Sequence, residues 1–339
     1  MSGTERNTLR GSPVVVAPGK VFLIGEYAVL DGAPAVVAAV SRAAVGQFIP
    51  GMEPESTFVA QAVEAALAGI GDHAAALPSG SVMVDSTSLS MNGKKLGLGS
   101  SAAVTTASVA AVLELAGLPV ADNRALCFSL AERAHRAAQG GTGSGADVAA
   151  SVHGGLIQYR RPAGGYPVIE KMRVPADLRL VVFAEGKPAA TPNLVRTVKD
   201  FAERDPQGYA AVMRPLRDQA ESFVEELSAG NIAGLLEAAR AYGAGLMELG
   251  ARADSPIITP RFELASELAM NLGGVAKPSG AGGGDVGIGL FGDAGAARTF
   301  SSRLTQLGLQ IIDVLIDSTG VHRRLPASQT SHPASRPPS

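Results

Sequence analysis

The stretch KLGLGSSAAVTTASVAAVLELAG, residues 95–117, places two glycines and two serines directly before a long run of small apolar residues. Gly97 and Gly99 allow the backbone to approach a ligand closely. Either Ser100 or Ser101 can cap the helix that the apolar run predicts. Because free N–H groups and the dipole at a helix N-terminus attract anions, the stretch predicts a turn and helix that can hold a phosphate group.

Composition narrows the class of protein. The 339 residues are 46% hydrophobic and 18% charged, with a formal net charge of −2 and a pI near 6.2. This balance argues against a general nucleic-acid binder. The lone cysteine, Cys127, excludes an internal disulfide and fits a reducing compartment. No signal-peptide pattern or apolar run of transmembrane length is evident, so we expect a cytoplasmic protein without a membrane partner.

Strand-like and helix-like segments occur in both halves of the chain, which predicts an α+β protein of two domains. We expect a first domain over residues 13–185 and a second over 186–323, because the chain becomes mostly helical near Gly186. The polar residues 1–12 and the Pro- and Ser-rich residues 324–339 are predicted to be disordered. The sequence leaves the oligomeric state open.

Two common nucleotide-binding signatures do not fit. The chain contains no G-x-x-x-x-G-K-[ST], which excludes the P-loop. GLGSSA, residues 97–102, formally matches the G-x-G-x-x-A of dinucleotide-binding folds, but that fingerprint needs a strand before it. Here MNGKK, residues 91–95, comes before it. A nicotinamide-dependent oxidoreductase is therefore a weak alternative.

Three further loops carry glycine beside residues that can bind phosphate or a cation. GGTGSGAD, residues 140–147, and KPSGAGGGD, residues 277–285, are rich in glycine and each ends in aspartate. APGKVFLIGEYAVL, residues 17–30, places Lys20 and Glu26 at a strand. Isolated glycines usually mark turns. Four loops that each present Lys, Ser or Asp beside glycine favour a shared site for a phosphorylated ligand.

In this order, residues 17–30, 96–103 and 277–290 resemble the three motifs of the GHMP kinases, and the resemblance extends over about residues 17–320. It implies the two-domain GHMP kinase fold. The N-terminal domain would be an ATP-binding domain like domain 2 of ribosomal protein S5, and the C-terminal domain a ferredoxin-like α/β domain. The proline that usually comes before the second motif is replaced by Lys94-Lys95.

Within the family, the chain resembles the phosphomevalonate kinases most. GSGADVAASVHGG at residues 143–155, GGGD at 282–285 and GKPAATPNLV at 186–195 are similar to segments of that branch. In the last of these, Ala190 replaces the usual serine. The resemblance implies an ATP- and Mg²⁺-dependent kinase in the mevalonate route to isopentenyl diphosphate. Its acceptor would be the small molecule 5-phosphomevalonate. Mevalonate kinase, another GHMP kinase or a non-catalytic nucleotide-binding homologue remain alternatives.

The resemblance also implies roles for individual residues. Lys20 and Asp147 match the catalytic pair, and Ser101 the Mg²⁺ ligand. The expected ATP-binding residues are Lys95, Gly97, Leu98, Gly99, Ser100, Ser101 and Ala102. The expected substrate-binding residues are Lys20, Ser144, Gly145, Lys187, Thr191, Arg196, Ser279 and Gly280.

One departure from the family concerns the metal. Family members often hold it with a glutamate that lies shortly before the catalytic aspartate. At that distance this chain has His135 and Arg136, and Glu132 lies one turn earlier. From the sequence, we expect His135 to pair with carbonyls at the end of its helix or with solvent.

Overall fold

The computed structural model describes residues 12–91, 93–141, 143–186 and 191–325. The ends predicted to be disordered, residues 1–12 and 324–339, lie almost entirely outside these ranges. The strands of the described residues are β1 Val14–Ile24, β2 Ala35–Pro50, β3 Gly80–Asp85, β4 Ser90–Met91, β5 Lys94–Lys95, β6 Leu156–Arg160, β7 Val168–Met172, β8 Arg179–Ala184, β9 Val275–Pro278, β10 Val286–Phe291, β11 Gln310–Ile312 and β12 His322–Arg323.

Nine α-helices lie between these strands in the described ranges. They are α1 Thr57–Gly69, α2 Ser100–Leu115, α3 Arg124–Ala138, α4 Ala146–His153, α5 Thr191–Arg204, α6 Pro206–Ala229, α7 Ile232–Ala253, α8 Pro260–Asn271 and α9 Ala294–Gln306. Short 3₁₀ turns occur at Ala28–Asp31, Gly71–Ala76 and Thr87–Leu89.

The first sheet is built around the long strand β2, which pairs antiparallel with β1, β3 and β6. Helix α2 packs on β1 and β2 and is buried on every side. Its small residues allow this close approach: Ala102, Ala103 and Ala107 are at most 1% exposed. A helix that is apolar all round belongs in a core, so the predicted turn and helix of residues 95–117 form the centre of the first domain.

The second sheet has the order β11-β8-β10-β9, with every pair antiparallel. Helices lie between β8 and β9 and between β10 and β11, which is the split β-α-β arrangement of the ferredoxin-like fold. Phe183, Phe262 and Phe300 fill the core against this sheet, and the ring centroid of Phe183 lies 5.5 Å from that of Phe262 and 5.8 Å from that of Phe300. The observed architecture agrees with the α+β GHMP kinase fold implied by the resemblance.

Strand pairing places the division between the domains earlier than residue 186. β8 belongs to the second sheet, although residues 179–184 were expected in the first domain. Conversely, β12 returns to pair with β1, and Ile316 forms a bridge with Val40. We therefore place the division before β8 and assign residues 313–325 to the first domain. Among the described helices, none combines the length and apolarity needed to cross a bilayer.

Candidate active site

Lys20 lies in the middle of β1, at the point where the glycine-rich loops meet. Its side chain is almost fully buried, with 7% of the residue exposed. Its backbone N–H donates to the carbonyl of Leu98 at 2.8 Å, and its Nζ lies 3.5 Å from the carbonyl oxygen of Gly97. The second motif is therefore held directly against the strand that carries Lys20.

Two glycines make room for this lysine. Gly99 has φ +75°, and a Cβ there would lie 2.8 Å from Lys20 Cε. Gly280, in the third motif, has φ +105°, and a Cβ there would lie 3.9 Å from Lys20 Nζ. Both positions adopt the left-handed region that favours glycine. The loops of the second and third motifs thus face the same ammonium group from the two domains.

Three carboxylates influence Lys20. Burial lowers the pKa of Lys20, and the negative charges of Asp147, Asp285 and Glu26 oppose that shift. Asp147 is the second residue of α4, so it projects from a helix N-terminus. A buried ammonium surrounded by acidic groups but open to a glycine loop is suited to binding phosphate oxygens.

Asp285 projects from the third motif across to the second. A Cβ on Gly97 would lie 2.6 Å from Asp285 Cγ, so the carboxyl group packs on that glycine. Burial raises the pKa of Asp285, and the nearby Lys20 and Lys95 oppose the shift. Asp285 also lines a cavity of about 100 Å³ between the domains, together with Lys94, Lys95 and Gly186.

Replacing Asp285 by asparagine is expected to raise the thermal unfolding midpoint near pH 7. An aspartate with a raised folded-state pKa contributes stability below its unfolded pKa, and that contribution is lost as pH rises through the folded pKa. The increase in the unfolding midpoint of Asp285→Asn over wild type should therefore become smaller as the pH falls toward about 4. Thermal unfolding at both pH values, with the exposed Asp200→Asn as control, measures this. A lower midpoint at pH 7 would contradict the expectation.

Helix α2 begins at Ser100 with an open N-terminus. Its N-cap is Gly99, and no side chain caps the helix. The first N–H groups of a helix have no partners within the helix. The loop that leads into α2 carries Gly97 and Gly99 against Lys20. An open helix N-terminus can hold an anion, and the anion site at residues 97–102 stays a prediction.

His135 lies between α2 and α4, and the expectation that it faces helix carbonyls or solvent is wrong. The residue is 3% exposed. Its Nε2 lies 3.1 Å from Ser101 Oγ and 3.9 Å from Asp147 Oδ2. The reason is tertiary: the last turn of α3 packs against the first turns of α2 and α4, and the ring centroids of Phe58 and His135 are 5.6 Å apart.

Glu132 does not take the place of the missing acidic metal ligand. Its carboxylate forms ion pairs with Arg136 and, at 3.0 Å, with Arg161. Its side chain packs against Gly145, where a Cβ would lie 2.9 Å from Glu132 Cγ. Among the residues that the structure describes, no cluster of three or more His, Cys, Asp or Glu side chains could hold a metal ion.

A buried ion pair joins the first motif to the third. Glu26 and Lys277 are in direct contact, and each side chain is 1% exposed. Burial lowers the pKa of Lys277, and the charge of Glu26 opposes the shift. The hydroxyl of Tyr242, on α7, donates to the Glu26 carbonyl at 2.6 Å. The pair therefore connects the two domains beside Lys20.

Two hydrogen bonds reinforce this connection. The N–H of Phe22 donates to Ser279 Oγ at 2.7 Å, and the hydroxyl of Tyr27 donates to the Ala281 carbonyl at 2.6 Å. Since Phe22 lies two residues after Lys20 on β1, the third motif is held in register with the lysine. Ser279 thus has a positioning contact in addition to its predicted substrate role.

The other predicted substrate residues are more dispersed. Ser144 Oγ accepts from the Ala146 N–H at 3.2 Å, at the start of α4. Arg196 is exposed on α5 and donates to Asn193 Oδ1 at 3.3 Å. Thr191 begins α5. Lys187 lies outside the described residues.

Sequence reasoning left four residues out of the predicted site: Glu26, His135, Lys277 and Asp285. Three of them, Glu26, Lys277 and Asp285, lie inside the quoted motifs, and a charged residue in an otherwise glycine-rich or apolar segment could have indicated a site residue. For His135, the sequence indicated a site residue only through its position, where family members often carry a glutamate.

Comparison with known proteins gives four findings. Residues 84–155 match the family model described as the GHMP kinases N terminal domain. A phosphomevalonate kinase of Streptomyces sp. (strain CL190) is 32% identical over 342 aligned positions, covering 83% of this chain and 90% of that protein.

Among solved structures, the Lin0012 protein of Listeria innocua superposes with a TM-score of 0.82 at 24% identity, covering 93% of this chain and 99% of the other. The phosphomevalonate kinase of Streptococcus pneumoniae, in complex with phosphomevalonate and AMPPNP, superposes with a TM-score of 0.75 at 24% identity, covering 89% and 99%. At this identity the structures establish the fold.

Proposed function

The chain belongs to the GHMP kinase family, and on that premise we propose that it transfers the γ-phosphoryl group of ATP to the phosphate of (R)-5-phosphomevalonate. The products are (R)-5-diphosphomevalonate and ADP. The similarity to the Streptomyces enzyme across most of both chains carries this proposal. The chain is thus an ATP-dependent phosphotransferase with a phosphate group as acceptor.

The chemistry of the acceptor decides what the site must supply. A phosphate monoester has a second pKa of about 6, so the attacking oxygen is largely ionised at neutral pH. That oxygen bonds to the γ-phosphorus while the bond from the γ-phosphorus to the ADP oxygen breaks. Repulsion between two polyanions is then a larger obstacle than proton removal. The site needs cations and hydrogen-bond donors at its centre.

We assign the central cation to Lys20. It lies between the loops of the second and third motifs, where donor and acceptor phosphates would meet. Its burial strengthens its attraction for phosphate oxygens, because few water molecules screen it. In this role Lys20 bridges the two ligands and stabilises the transferring group.

Asp147 has a supporting role in the same proposal. Its charge favours the ammonium form of Lys20. With a phosphate acceptor, the carboxylate orients Lys20 and polarises the acceptor, and proton abstraction is secondary. If the acceptor were an alcohol such as mevalonate, the same aspartate would have to act as a general base.

The residues around Ser101 fit Mg²⁺. Ser101 Oγ and the Asp147 carboxylate, both oxygen donors, lie within 4 Å of the same His135 nitrogen. Mg²⁺ commonly takes one or two protein oxygens and completes its shell with water and nucleotide phosphates. Bound there, the ion would neutralise charge on the β- and γ-phosphates. We propose Ser101 as its protein ligand.

The remaining contacts complete the proposal. The residues proposed to surround the ATP phosphates are Lys95, Gly97, Leu98, Gly99, Ser100, Ser101 and Ala102. The residues proposed to bind the acceptor are Lys20, Ser144, Gly145, Lys187, Thr191, Arg196, Ser279 and Gly280. Of these, Gly280 lies close to Lys20, because a Cβ there would be 3.9 Å from Lys20 Nζ.

We expect ADP release with ATP and Mg²⁺ only when 5-phosphomevalonate is the acceptor. The coupled assay compares it with mevalonate, homoserine and galactose, and ³¹P NMR identifies the diphosphate product. Turnover on mevalonate instead would overturn the substrate and make Asp147 a general base. No turnover on any acceptor, with AMPPNP still bound, would leave a non-catalytic nucleotide-binding homologue.

A further inference from the structure

The ring of His135 contacts two residues that the proposed function needs. Its Nε2 lies 3.1 Å from the hydroxyl of Ser101 and 3.9 Å from Asp147 Oδ2. The amide Nε2 of Gln139, one turn later, lies 3.3 Å from the same ring nitrogen. Ser101 and Asp147 come from α2 and α4, so tertiary packing brings them to His135, whereas Gln139 is a neighbour in sequence just after the end of α3.

The tautomer of His135 decides the direction of its hydrogen bonds. With the ring hydrogen on Nδ1, Nε2 has one lone pair that accepts a hydrogen. Of the two groups within reach, the hydroxyl of Ser101 at 3.1 Å is nearer to Nε2 than the side-chain amide of Gln139 at 3.3 Å, so in this tautomer the hydroxyl donates to the ring. A serine oxygen that donates its hydrogen away keeps both lone pairs for a cation. Its orientation is fixed by a buried ring rather than by solvent.

The glutamate that family members often carry near the metal is absent beside Ser101. Glu132 is occupied by Arg136 and Arg161, and the ring of His135 lies beside Ser101 instead. Groups that hydrogen-bond to a metal ligand orient it, and their loss typically reduces metal affinity by about 10- to 100-fold. An imidazole in this position can orient the serine but adds no negative charge.

We propose that His135 is a positioning residue that holds the Ser101 hydroxyl in the orientation that binds the Mg²⁺ of the nucleotide complex. This inference rests on the proposed function for the identity of the ligand, Mg²⁺-ATP. His135 acts through Ser101, so its effect on nucleotide affinity appears only when the metal is present.

The test measures AMPPNP affinity by calorimetry, with Mg²⁺ and with EDTA. Wild-type protein should bind more tightly with Mg²⁺. His135→Leu should lose about 10- to 100-fold of affinity with Mg²⁺ and almost none in EDTA. His135→Gln should retain most of the wild-type affinity, because its amide oxygen can accept from the Ser101 hydroxyl. His153→Gln, a half-buried histidine on α4 that packs on Phe128, is the matched control and should behave as wild type.

A double-mutant cycle separates positioning from a general structural effect. In a Ser101→Ala background, His135→Leu should cause no further loss of the Mg²⁺-dependent affinity, since the hydroxyl it orients is gone. Equal losses with and without Mg²⁺, additive losses in the cycle, or wild-type affinity that does not depend on Mg²⁺ would each overturn the proposal. Failure of the acceptor assay with these binding results intact would overturn the substrate and leave the role of His135 standing.

Discussion

Lys20→Met lowers kcat by about a thousandfold or more, the largest loss of activity that we expect from a single substitution. The methionine keeps most of the side-chain volume in the buried slot between Gly97 and Gly99 but removes the positive charge. Without that charge, nothing proposed for the site bridges the donor and acceptor phosphates. Asp147, Asp285 and Glu26 would then repel both ligands.

Steady-state ADP release measures the effect, with thermal unfolding as a check of the fold. Lys199→Met makes the same chemical change on the exposed face of α5, where Lys199 is 74% exposed, and should keep wild-type kcat. Lys20→Arg tests geometry, because the bulkier guanidinium must fit beside Gly99. A kcat for Lys20→Met within tenfold of the wild-type value would refute the central role of Lys20.

Lys277→Met is expected to reduce the free energy of unfolding by about 3–5 kcal/mol. The substitution leaves the carboxylate of Glu26 buried without its ammonium partner, and one of its oxygens, Oε2, already has no hydrogen-bond partner. Breaking a buried pair costs more than the pair contributes, because the remaining charge stays desolvated.

The double variant Glu26→Met/Lys277→Met should recover most of this loss. Removing both charges removes the desolvation cost, and similar volumes keep the packing. Urea unfolding of the single and double variants gives the comparison, and Lys199→Met again provides the exposed control. A double variant less stable than Lys277→Met would mean that the pair itself stabilises the domain contact. The double variant should still have a low kcat, because the contact between the first and third motifs beside Lys20 is altered.

Local features were predictable from the sequence because they depend on neighbours along the chain. Gly97, Gly99 and the serines after them predict a turn and a helix N-terminus, and α2 begins at Ser100, although the N-cap is Gly99 and not one of the serines. The apolar run that follows predicts burial, and α2 lies in the core. The order of the three motifs indicated the family, and the second half was predicted to be mainly helical.

Pairing between distant segments was not predictable in this way. β8 was grouped with the first domain because it follows that domain along the chain, yet its hydrogen bonds are with β10 and β11. β12 pairs with β1 across most of the sequence. Strand partners are chosen by the fit of whole faces, and alternation within one strand does not reveal the partner.

The sequence by itself therefore determined the loops, the helix that follows the second motif and the family. The tertiary structure alone decided that Glu26 meets Lys277, that Asp285 packs on Gly97 and that His135 faces Ser101. Each of these contacts joins residues that are far apart along the chain. The physical reason is that a buried charge or ring takes its partner from whatever the packing of helices and sheets brings within reach, which no local pattern encodes.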